Sequence, residues 1–466
     1  MVMSIEDLND DCVIDILSYL PVLDRLRSYR VCKRWKTLGE LSWQKTKALS
    51  LRRDFWGLSS ESRFIVNRHV LKKLLEICGR YLVHVSLSNV VQKSGLPDTN
   101  VRVKSCKFVF TLIRELCPNV RSIDAGEPVQ DCTLEYVASH YSDLTHFAVR
   151  EAKNFEPILA LLFSNNRNLR HVRLEGCRIN GTCLLALNPQ ALREFYFVDN
   201  QVGEPQHLID ALEGFRNIRI LNLTRVAVED DQACMDHVLE AVRQNAASVE
   251  HLYLKFYDNH REYIDPSFVA EFTNLEKLHI DGDIIVNDKF LAIVAANCTK
   301  LKSLQLSNST CLTDAGIASI GGLPELRWLS LNALEGTTDG ALGGLVNLRL
   351  LEVRRCPKVG VGGLSKLLGS SRSIAALWCI CCGRVPASEL LEAAWDPTGT
   401  PRNLALRIDN SDSEDSPFVT DVQTLFASED RVVRRVRQLC YECFKSPSDA
   451  CDVCCNLENE FTVQRT

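Results

Sequence analysis

Aromatic side chains are scarce in this sequence, and long apolar runs are missing. Only 7% of its 466 residues are aromatic although 46% are hydrophobic, so the apolar content is mainly aliphatic. An aliphatic composition favours many similar, thin packing layers over one large globular core. No stretch approaches the roughly 18 consecutive apolar residues of a membrane helix. We therefore expect no membrane-spanning segment and no membrane partner.

An excess of charge of one sign is also missing. The 54 basic and 59 acidic residues leave a formal net charge of -5. Such a balanced chain produces no global basic field that would gather phosphate backbones from a distance. Nucleic acid is therefore not expected as a main partner.

Secretory and catalytic signatures are absent as well. The residues from Met1 to Val13 carry acids where a signal peptide would carry basic residues and then a long apolar run. The 20 cysteines are therefore expected to be reduced, and the chain is expected in the cytoplasm, the nucleus or both. No phosphate-binding loop, metalloprotease helix or nucleophile elbow occurs in the sequence. We expect a protein that is not an enzyme.

A repeated pattern, L-x-x-L-x-L with other apolar residues at some positions, dominates the middle of the chain at intervals of 22 to 31 residues. The eight clear copies are Leu169–Leu174, Leu192–Phe197, Ile218–Leu223, Val249–Leu254, Leu275–Ile280, Leu301–Leu306, Leu326–Leu331 and Leu348–Val353. The weaker copies are Leu82–Leu87, Val120–Ala125, Leu144–Val149, Ile374–Cys379 and Leu404–Ile408. Helical spacing between copies, as in Phe290–Cys298 and His237–Asn245, gives each unit a strand and a helix. This spacing is near the roughly 20 to 29 residues of leucine-rich repeats, so the sequence predicts an α/β solenoid of about 12 repeats with a curved, parallel concave sheet and outer helices.

The concave face of such a sheet is the candidate substrate-binding surface. Apolar positions of each copy must point into the core, so the residues between them alternate outward. His146 and His171 occupy matching positions on adjacent predicted strands, about 5 Å apart. The candidate residues for binding an acidic or phosphorylated segment, with aromatic anchors, are His146, Arg150, His171, Arg173, Tyr196, Tyr253, Trp328 and Trp378. Two other interpretations stay open: polar residues that only keep the face soluble, and a histidine metal site.

The first fifty residues differ from the repeats. Between residues 5 and 20 an apolar stripe recurs at spacings of three and four, which predicts one helix. Pro21 ends that helix, and a second apolar series leads through Val31 to Trp35 and Leu38. Two or three short helices are therefore expected.

This segment resembles an F-box, in particular at Ser18–Pro21 (SYLP) and Val31–Trp35 (VCKRW). F-boxes usually begin Leu-Pro, whereas here Leu8 is followed by Asn9. The resemblance extends to the repeats, because Cys311–Ile320 and Ala296–Leu301 are similar to the cysteine-containing repeats of F-box proteins. It implies that the helical unit docks on the adaptor subunit of an SCF ubiquitin ligase and, through it, on the cullin scaffold. The residues that the resemblance assigns to the core and the docking face together are Leu8, Ile16, Leu20, Pro21, Val31, Cys32 and Trp35. The alternative is a helical hairpin that only caps a repeat array.

Beyond the repeats, Asn410–Pro417 is acidic and ends in proline, which predicts a solvated linker. Residues 418–439 regain helical spacing, so a terminal helix is expected there. Two C-x-x-C pairs follow, formed by Cys440, Cys443, Cys451 and Cys454. Four thiolates suit a structural zinc ion, but only seven residues separate the pairs, fewer than the about 15 to 20 of common zinc ribbons. Free, reduced cysteines are the alternative.

These observations divide the chain into an F-box domain (1–48), a leucine-rich-repeat solenoid (49–409), an acidic linker (410–417) and a C-terminal helix with a cysteine-rich tail (418–466). The expected function is that of a substrate-recognition adaptor of an SCF-type ubiquitin ligase, non-catalytic itself, whose repeats hold a protein target. The competing hypothesis is a leucine-rich-repeat scaffold outside any ligase, with or without a zinc-binding tail. No cofactor is required by the first hypothesis.

Overall fold

The structure is a computed structural model. It describes residues 5–50, 53–57, 68–86, 106–125, 131–152, 155–228, 232–256, 262–263, 265–282, 284–380, 382, 385, 390, 405–409, 425–428 and 431–434. The chain divides into two compact units, Met1–Ile284 and Ile285–Thr466, and each is described by itself. Within the described ranges, no helix has both the length and the apolar character to cross a membrane.

Three short helices open the first unit. They are α1 (Asp10–Ser18), α2 (Val22–Ser28) and α3 (Lys33–Ser42), preceded and followed by the 3-10 turns Ile5–Asp7 and Trp43–Lys45. The Asn9 side chain accepts a hydrogen bond from the Cys12 amide at 2.8 Å, so asparagine at this position caps α1. Pro21 and Cys32 stand at the N-caps of α2 and α3. The predicted helical unit is confirmed.

Parallel strands and helices then alternate through the rest of the first unit. The paired strands are β1 (Ala48–Ser50), β2 (His84–Ser86), β3 (Ser122–Asp124), β4 (His146–Arg150), β5 (His171–Glu175), β6 (Arg178–Ile179), β7 (Glu194–Val198), β8 (Gln201–Val202), β9 (Ile220–Val228), β10 (His251–Phe256), β11 (Glu262–Tyr263) and β12 (Lys277–Gly282). The helices between them are α4 (Arg53–Trp56), α5 (Arg68–Cys78), α6 (Cys106–Leu116), α7 (Asp131–His140), α8 (Glu156–Asn165), α9 (Pro205–Gly214) and α10 (Gln232–Arg243), with 3-10 turns at Gly79–Tyr81, Thr182–Ala186 and Pro266–Glu271. Leaving aside the short strands β6, β8 and β11, each strand pairs in parallel with the strand of the next repeat, from β1 to β12.

The second unit continues the same alternation. Its elements are β13 (Ile284–Ile285, which begins at the unit boundary), α11 (Asp288–Asn297), β14 (Ser303–Ser307), α12 (Asp314–Ser319), β15 (Trp328–Asn332), β16 (Leu350–Arg354), α13 (Val361–Ser370), β17 (Ala376–Ile380), β18 (Ala405–Asp409), β19 (Leu425–Ser428) and β20 (Arg431–Arg434), with 3-10 turns at Ile320–Gly322 and Asp339–Gly344. Strands β14 to β18 pair in parallel and in register.

The C-terminal end departs from the sequence prediction. The spacing predicts a helix within residues 418–439, whereas β19 and β20 form an antiparallel hairpin that extends from β18. The two adjacent β-branched residues Val432 and Val433 favour a strand in this segment. The apolar residues at spacings of three and four do not distinguish the two structures.

The core lies behind the strands. In β5 the burial alternates, with Val172 and Leu174 buried and His171, Arg173 and Glu175 half-buried on the opposite face. This two-residue period fixes which side chains line the concave sheet. The predicted solenoid, with a helical N-terminal unit and a parallel sheet backed by helices, is confirmed.

Candidate protein-interaction surfaces

The helical unit presents large apolar side chains to solvent. Val31 is 62% exposed, Ile16 42% and Tyr19 88%, and Cys32 beside Val31 is exposed as well. Exposed apolar side chains of this kind are candidates for contact with a partner protein. We call these four residues the F-box surface. Tyr19 was not among the predicted docking residues, because it follows α1 and lies outside the apolar stripe.

The other candidate docking residues are partly buried within the helical unit. Leu8, Leu20 and Trp35 are partly buried and pack against the core cluster formed by Val13, Leu17 and Leu38. Pro21 is half-buried and begins α2. The structure thus separates the partly buried residues of this set from the exposed ones, which the sequence could not do.

The end of α2 packs closely against α3. A Cβ atom at Gly39 would collide with the Tyr29 ring, so a larger residue at this position would have to displace that ring. The indole nitrogen of Trp43 donates a hydrogen bond to the Tyr29 hydroxyl at 2.7 Å. Burial raises the pKa of Tyr29, while the hydrogen bond from Trp43 acts in the opposite direction.

On the concave sheet, His146 and His171 stand in register on neighbouring strands, as the sequence predicts. Their ring centroids are 5.4 Å apart and the rings are stacked. The ring of Tyr196, on the next strand, lies 5.0 Å from that of His171. Three aromatic rings therefore form a continuous row across β4, β5 and β7.

Two carboxylates neutralise much of the basic charge in this row. Glu175 accepts hydrogen bonds from Arg150 at 3.2 Å and from Arg173 at 3.0 Å. Glu194 lies 2.8 Å from the Nδ1 atom of His171. The four predicted basic residues are therefore brought together, but three of them already have acidic partners. Of the four, only His146 is exposed.

The same contacts shift the titration of the cluster. The hydrogen bond with His171 lowers the pKa of Glu194, against the opposing effect of burial. Burial and, to a lesser extent, the neighbouring His171 lower the pKa of His146. The pKa of His84, two strands away from His146, is also lowered by burial.

The predicted aromatic anchors are less accessible than expected. Tyr196 and Tyr253 are each only 3% exposed, because neighbouring side chains cover them on the sheet. The Tyr253 ring meets the His279 ring edge-on at 6.0 Å, and burial lowers the pKa of His279 to about 4. Trp328 and Trp378, on β15 and β17 of the second unit, are half-buried.

A metal site finds no support among the described residues, where no group of three or more His, Cys, Asp or Glu side chains is arranged to hold an ion. The predicted zinc ligands Cys440, Cys443, Cys451 and Cys454 lie outside the residues that the structure describes, as does the acidic linker.

Comparison with known proteins identifies the helical unit. Residues 5–42 match the family model of the F-box domain. The chain is 24% identical over 363 residues to a Caenorhabditis elegans protein named "Putative RNA-binding protein EEED8.10", covering 75% of this chain and 46% of that protein. It is 22% identical over 312 residues to the F-box/LRR-repeat protein 21 of Bos taurus, covering 63% of this chain and 68% of the relative. This chain therefore spans about half the length of the worm relative.

Among solved structures, the complex of Rad7 and Elc1 from yeast resembles this chain with a TM-score of 0.40 at 13% identity. The match covers 85% of this chain and 92% of the compared one.

Proposed function

We propose that this chain, in which an F-box domain precedes leucine-rich repeats, is a substrate-recognition adaptor of an SCF-type ubiquitin ligase. The observation that carries the proposal is the F-box surface, where Ile16, Tyr19 and Val31 stand exposed on a domain that matches the F-box family. Burying these side chains against an adaptor subunit removes them from water, which favours association. The cullin scaffold is reached through that adaptor.

In this mechanism the chain performs no chemistry. The F-box domain holds the ligase, the repeats hold the target, and the target's lysines meet the ligase's ubiquitin donor at a high effective concentration. Positioning of this kind accelerates a transfer without a catalytic residue on the tether.

The test replaces an exposed residue of the F-box surface rather than a core residue. Val31→Asp places a charge in the proposed interface, and we expect co-purification with the adaptor subunit and cullin to fall at least tenfold, since burying an unpaired charge costs several kcal/mol. Leu161→Asp, at an exposed leucine on α8, is the matched control and should leave adaptor binding unchanged. Undiminished adaptor binding by the Val31 variant would move the docking face away from the F-box surface, whereas no adaptor binding by the unmodified chain would favour the non-ligase scaffold instead.

We further propose that the target is bound on the concave sheet of the repeats. In the first unit the residues concerned are His146, Arg150, His171, Arg173, Tyr196 and Tyr253, and in the second Trp328 and Trp378. The pairing of Arg150, Arg173 and His171 with carboxylates supports a preorganised polar surface, whose hydrogen-bonding groups are held in place before the target arrives.

Zinc binding by the cysteine-rich tail is a separate proposal that rests on the spacing of its two C-x-x-C pairs. The chain, purified without chelator, is expected to hold one zinc ion, and Cys440→Ser with Cys443→Ser is expected to lose it. Atomic absorption and thiol alkylation measure both. A metal-free protein with freely alkylated thiols in the tail would exclude the site.

A further inference from the structure

An arginine-rich edge lies beside the concave face of the first unit. In three successive repeats the residue just before the strand is an arginine, Arg170 before β5, Arg193 before β7 and Arg219 before β9. The Arg193 amide donates to the Arg170 carbonyl at 2.8 Å and the Arg219 amide to the Arg193 carbonyl at 2.7 Å. Their backbones are therefore direct ladder neighbours, about 4.8 Å apart.

Two further arginines enlarge this edge. Arg167 and Arg216 stand three residues earlier in the repeats of β5 and β9, within the matching tetrapeptides R-N-L-R and R-N-I-R, and both are exposed. We call Arg167, Arg170, Arg193, Arg216 and Arg219 the arginine edge. Glu250 takes up part of its charge by binding Arg219 through two hydrogen bonds of 2.8 and 2.7 Å, and the more distant carboxylates of Glu194 and Glu276 also raise the pKa of Arg219.

Local structure explains only some of these arginines. Arg193 and Arg216 donate to backbone carbonyls of the turn that leads into their strand, including Gln190 and Phe215, which satisfies the end of each turn. Arg327 of the second unit does the same with Pro324. Arg167 and Arg170, in contrast, make no side-chain hydrogen bond or ion pair with any residue that the structure describes, and both are exposed.

We propose that the arginine edge binds a short acidic or phosphorylated segment of a partner protein. Guanidinium groups match carboxylate and phosphate geometry, and five of them on three repeats create a local positive field although the whole chain is acidic. The edge is short: Thr145 precedes it and Glu250 and Glu276 follow it on the backbone ladder. It therefore suits three or four acidic residues, whereas a nucleic acid would need a longer cationic track and would meet the two glutamates.

The inference goes beyond the proposed ligase role, since the edge would serve equally in a scaffold. Binding of a fluorescein-labelled octaglutamate peptide to the full chain is measured by anisotropy, with octauridine RNA as a second probe. We expect the peptide to bind and its affinity to fall as salt rises. Arg167→Gln with Arg170→Gln should weaken binding roughly fivefold, the effect of losing two exposed charge pairs. Arg178→Gln with Lys289→Gln, which removes the same charge elsewhere, should not.

Three results would overturn the proposal: no peptide binding by the unmodified protein, equal binding by the test and control variants, or arginine-dependent binding of octauridine in preference to the peptide. An unchanged melting temperature of each variant would show that weaker peptide binding does not result from a folding defect. Adaptor co-purification, measured on the same samples, reports on the ligase role separately.

Discussion

Arg25 is a buried charge that has no acidic hydrogen-bond partner among the residues that the structure describes. Its side chain is 5% exposed, and its guanidinium donates to the Thr46 hydroxyl at 2.8 Å and to the Ser18 and Leu20 carbonyls. It also lies 4.3 Å from the centre of the Trp43 ring. Ser18 is the last residue of α1, so the negative end of that helix acts as the counter-charge. Burial lowers the pKa of Arg25, which reflects the cost of removing it from water.

We expect Arg25→Met to loosen the F-box domain, because it leaves the two carbonyl groups at the end of α1 without a donor. A loss of about 2 kcal/mol is typical for removing a charged donor from buried acceptors. Hydrogen exchange of the full chain should then speed up roughly 30-fold over residues 10–28. Arg25→Lys should not restore protection, since an ammonium group does not reproduce the guanidinium fork. If hydrogen-exchange protection were normal in Arg25→Met, the hydrogen bonds of Arg25 would not stabilise the domain, and its side chain would contribute only packing volume.

At the residue scale, sequence patterns predict where a side chain lies on a strand better than they predict which side chains it contacts. The two-residue period of a strand is sufficient to place His146 beside His171, and the distance between the two rings agrees with it. The pairing of Arg150 and Arg173 with Glu175 was not predicted, because two strands contribute side chains whose reach and rotamers no periodic pattern contains. The same limit hid the burial of Tyr253.

At the element scale, strands of both units end in one recurring conformation. The residue after β4, β7, β14, β15 and β16 has a positive φ although it is not glycine, at Glu151, Asp199, Asn308, Ala333 and Arg355. The amide of each donates to a carbonyl of the next repeat at 2.7 to 2.9 Å. The backbone thus turns away from the sheet while it keeps a ladder hydrogen bond, at a conformational cost of about 1 kcal/mol for each residue.

A second recurring arrangement, an aspartate–threonine hydrogen bond, joins successive repeats of the second unit. The carboxylate of Asp288 accepts hydrogen bonds from the backbone and hydroxyl of Thr313, and Asp314 accepts the same pair from Thr338. Each threonine also caps its own helical turn. The aspartate of one repeat therefore fixes the beginning of the next helix. The dipeptide Thr-Asp recurs in the sequence, but its partner is a repeat away and was not predicted.

We expect Asp314→Ala to destabilise the turn at Asp339–Gly344, since it removes both acceptors of Thr338. Charged hydrogen bonds of this kind contribute about 1.5 to 3 kcal/mol. Faster hydrogen exchange over residues 338–345 would record the loss. Asp314→Asn keeps one acceptor oxygen and should lose less, and Asp236→Ala, at an exposed site on α10, should lose nothing there. Identical hydrogen exchange in the alanine and asparagine variants would contradict this role of the Asp314 carboxylate.

The elements themselves were largely predictable, because each repeat has its own copy of the apolar pattern. The strands β5, β7, β9, β10, β12, β14, β15 and β16 all lie within the eight clear copies of the pattern or overlap them. The exception is the end of the chain, where one segment carries both helical spacing and β-branched residues, and pairing with β18 selects the strand. Tertiary partners decide such ambiguous segments.

At the scale of the whole molecule, the proposed function assigns two tasks to separate surfaces. The F-box surface lies on the helical unit, and the concave residues of β4, β5 and β7 lie on the repeats of the same compact unit. A tether requires that each surface binds its own partner regardless of the other. Sequence patterns indicate both surfaces, but they carry no information on the target, because recognition depends on side-chain arrangement and not on the repeat.

The independence of the two tasks is the last prediction. Replacing His146, Arg150, His171 and Arg173 by serine should abolish target capture and leave adaptor binding intact, whereas Val31→Asp should do the reverse. Proximity labelling with the proteasome inhibited measures both sets of partners in one experiment.

The fourfold change leaves the carboxylates of Glu175 and Glu194 without their basic partners. A sixfold variant that adds Glu175→Gln and Glu194→Gln removes that electrostatic cost. Loss of the same targets in both variants would assign recognition to these side chains. If the sixfold variant instead captured targets normally, the unpaired carboxylates would explain why the fourfold variant lost its targets. The binding site would then lie elsewhere on the repeats.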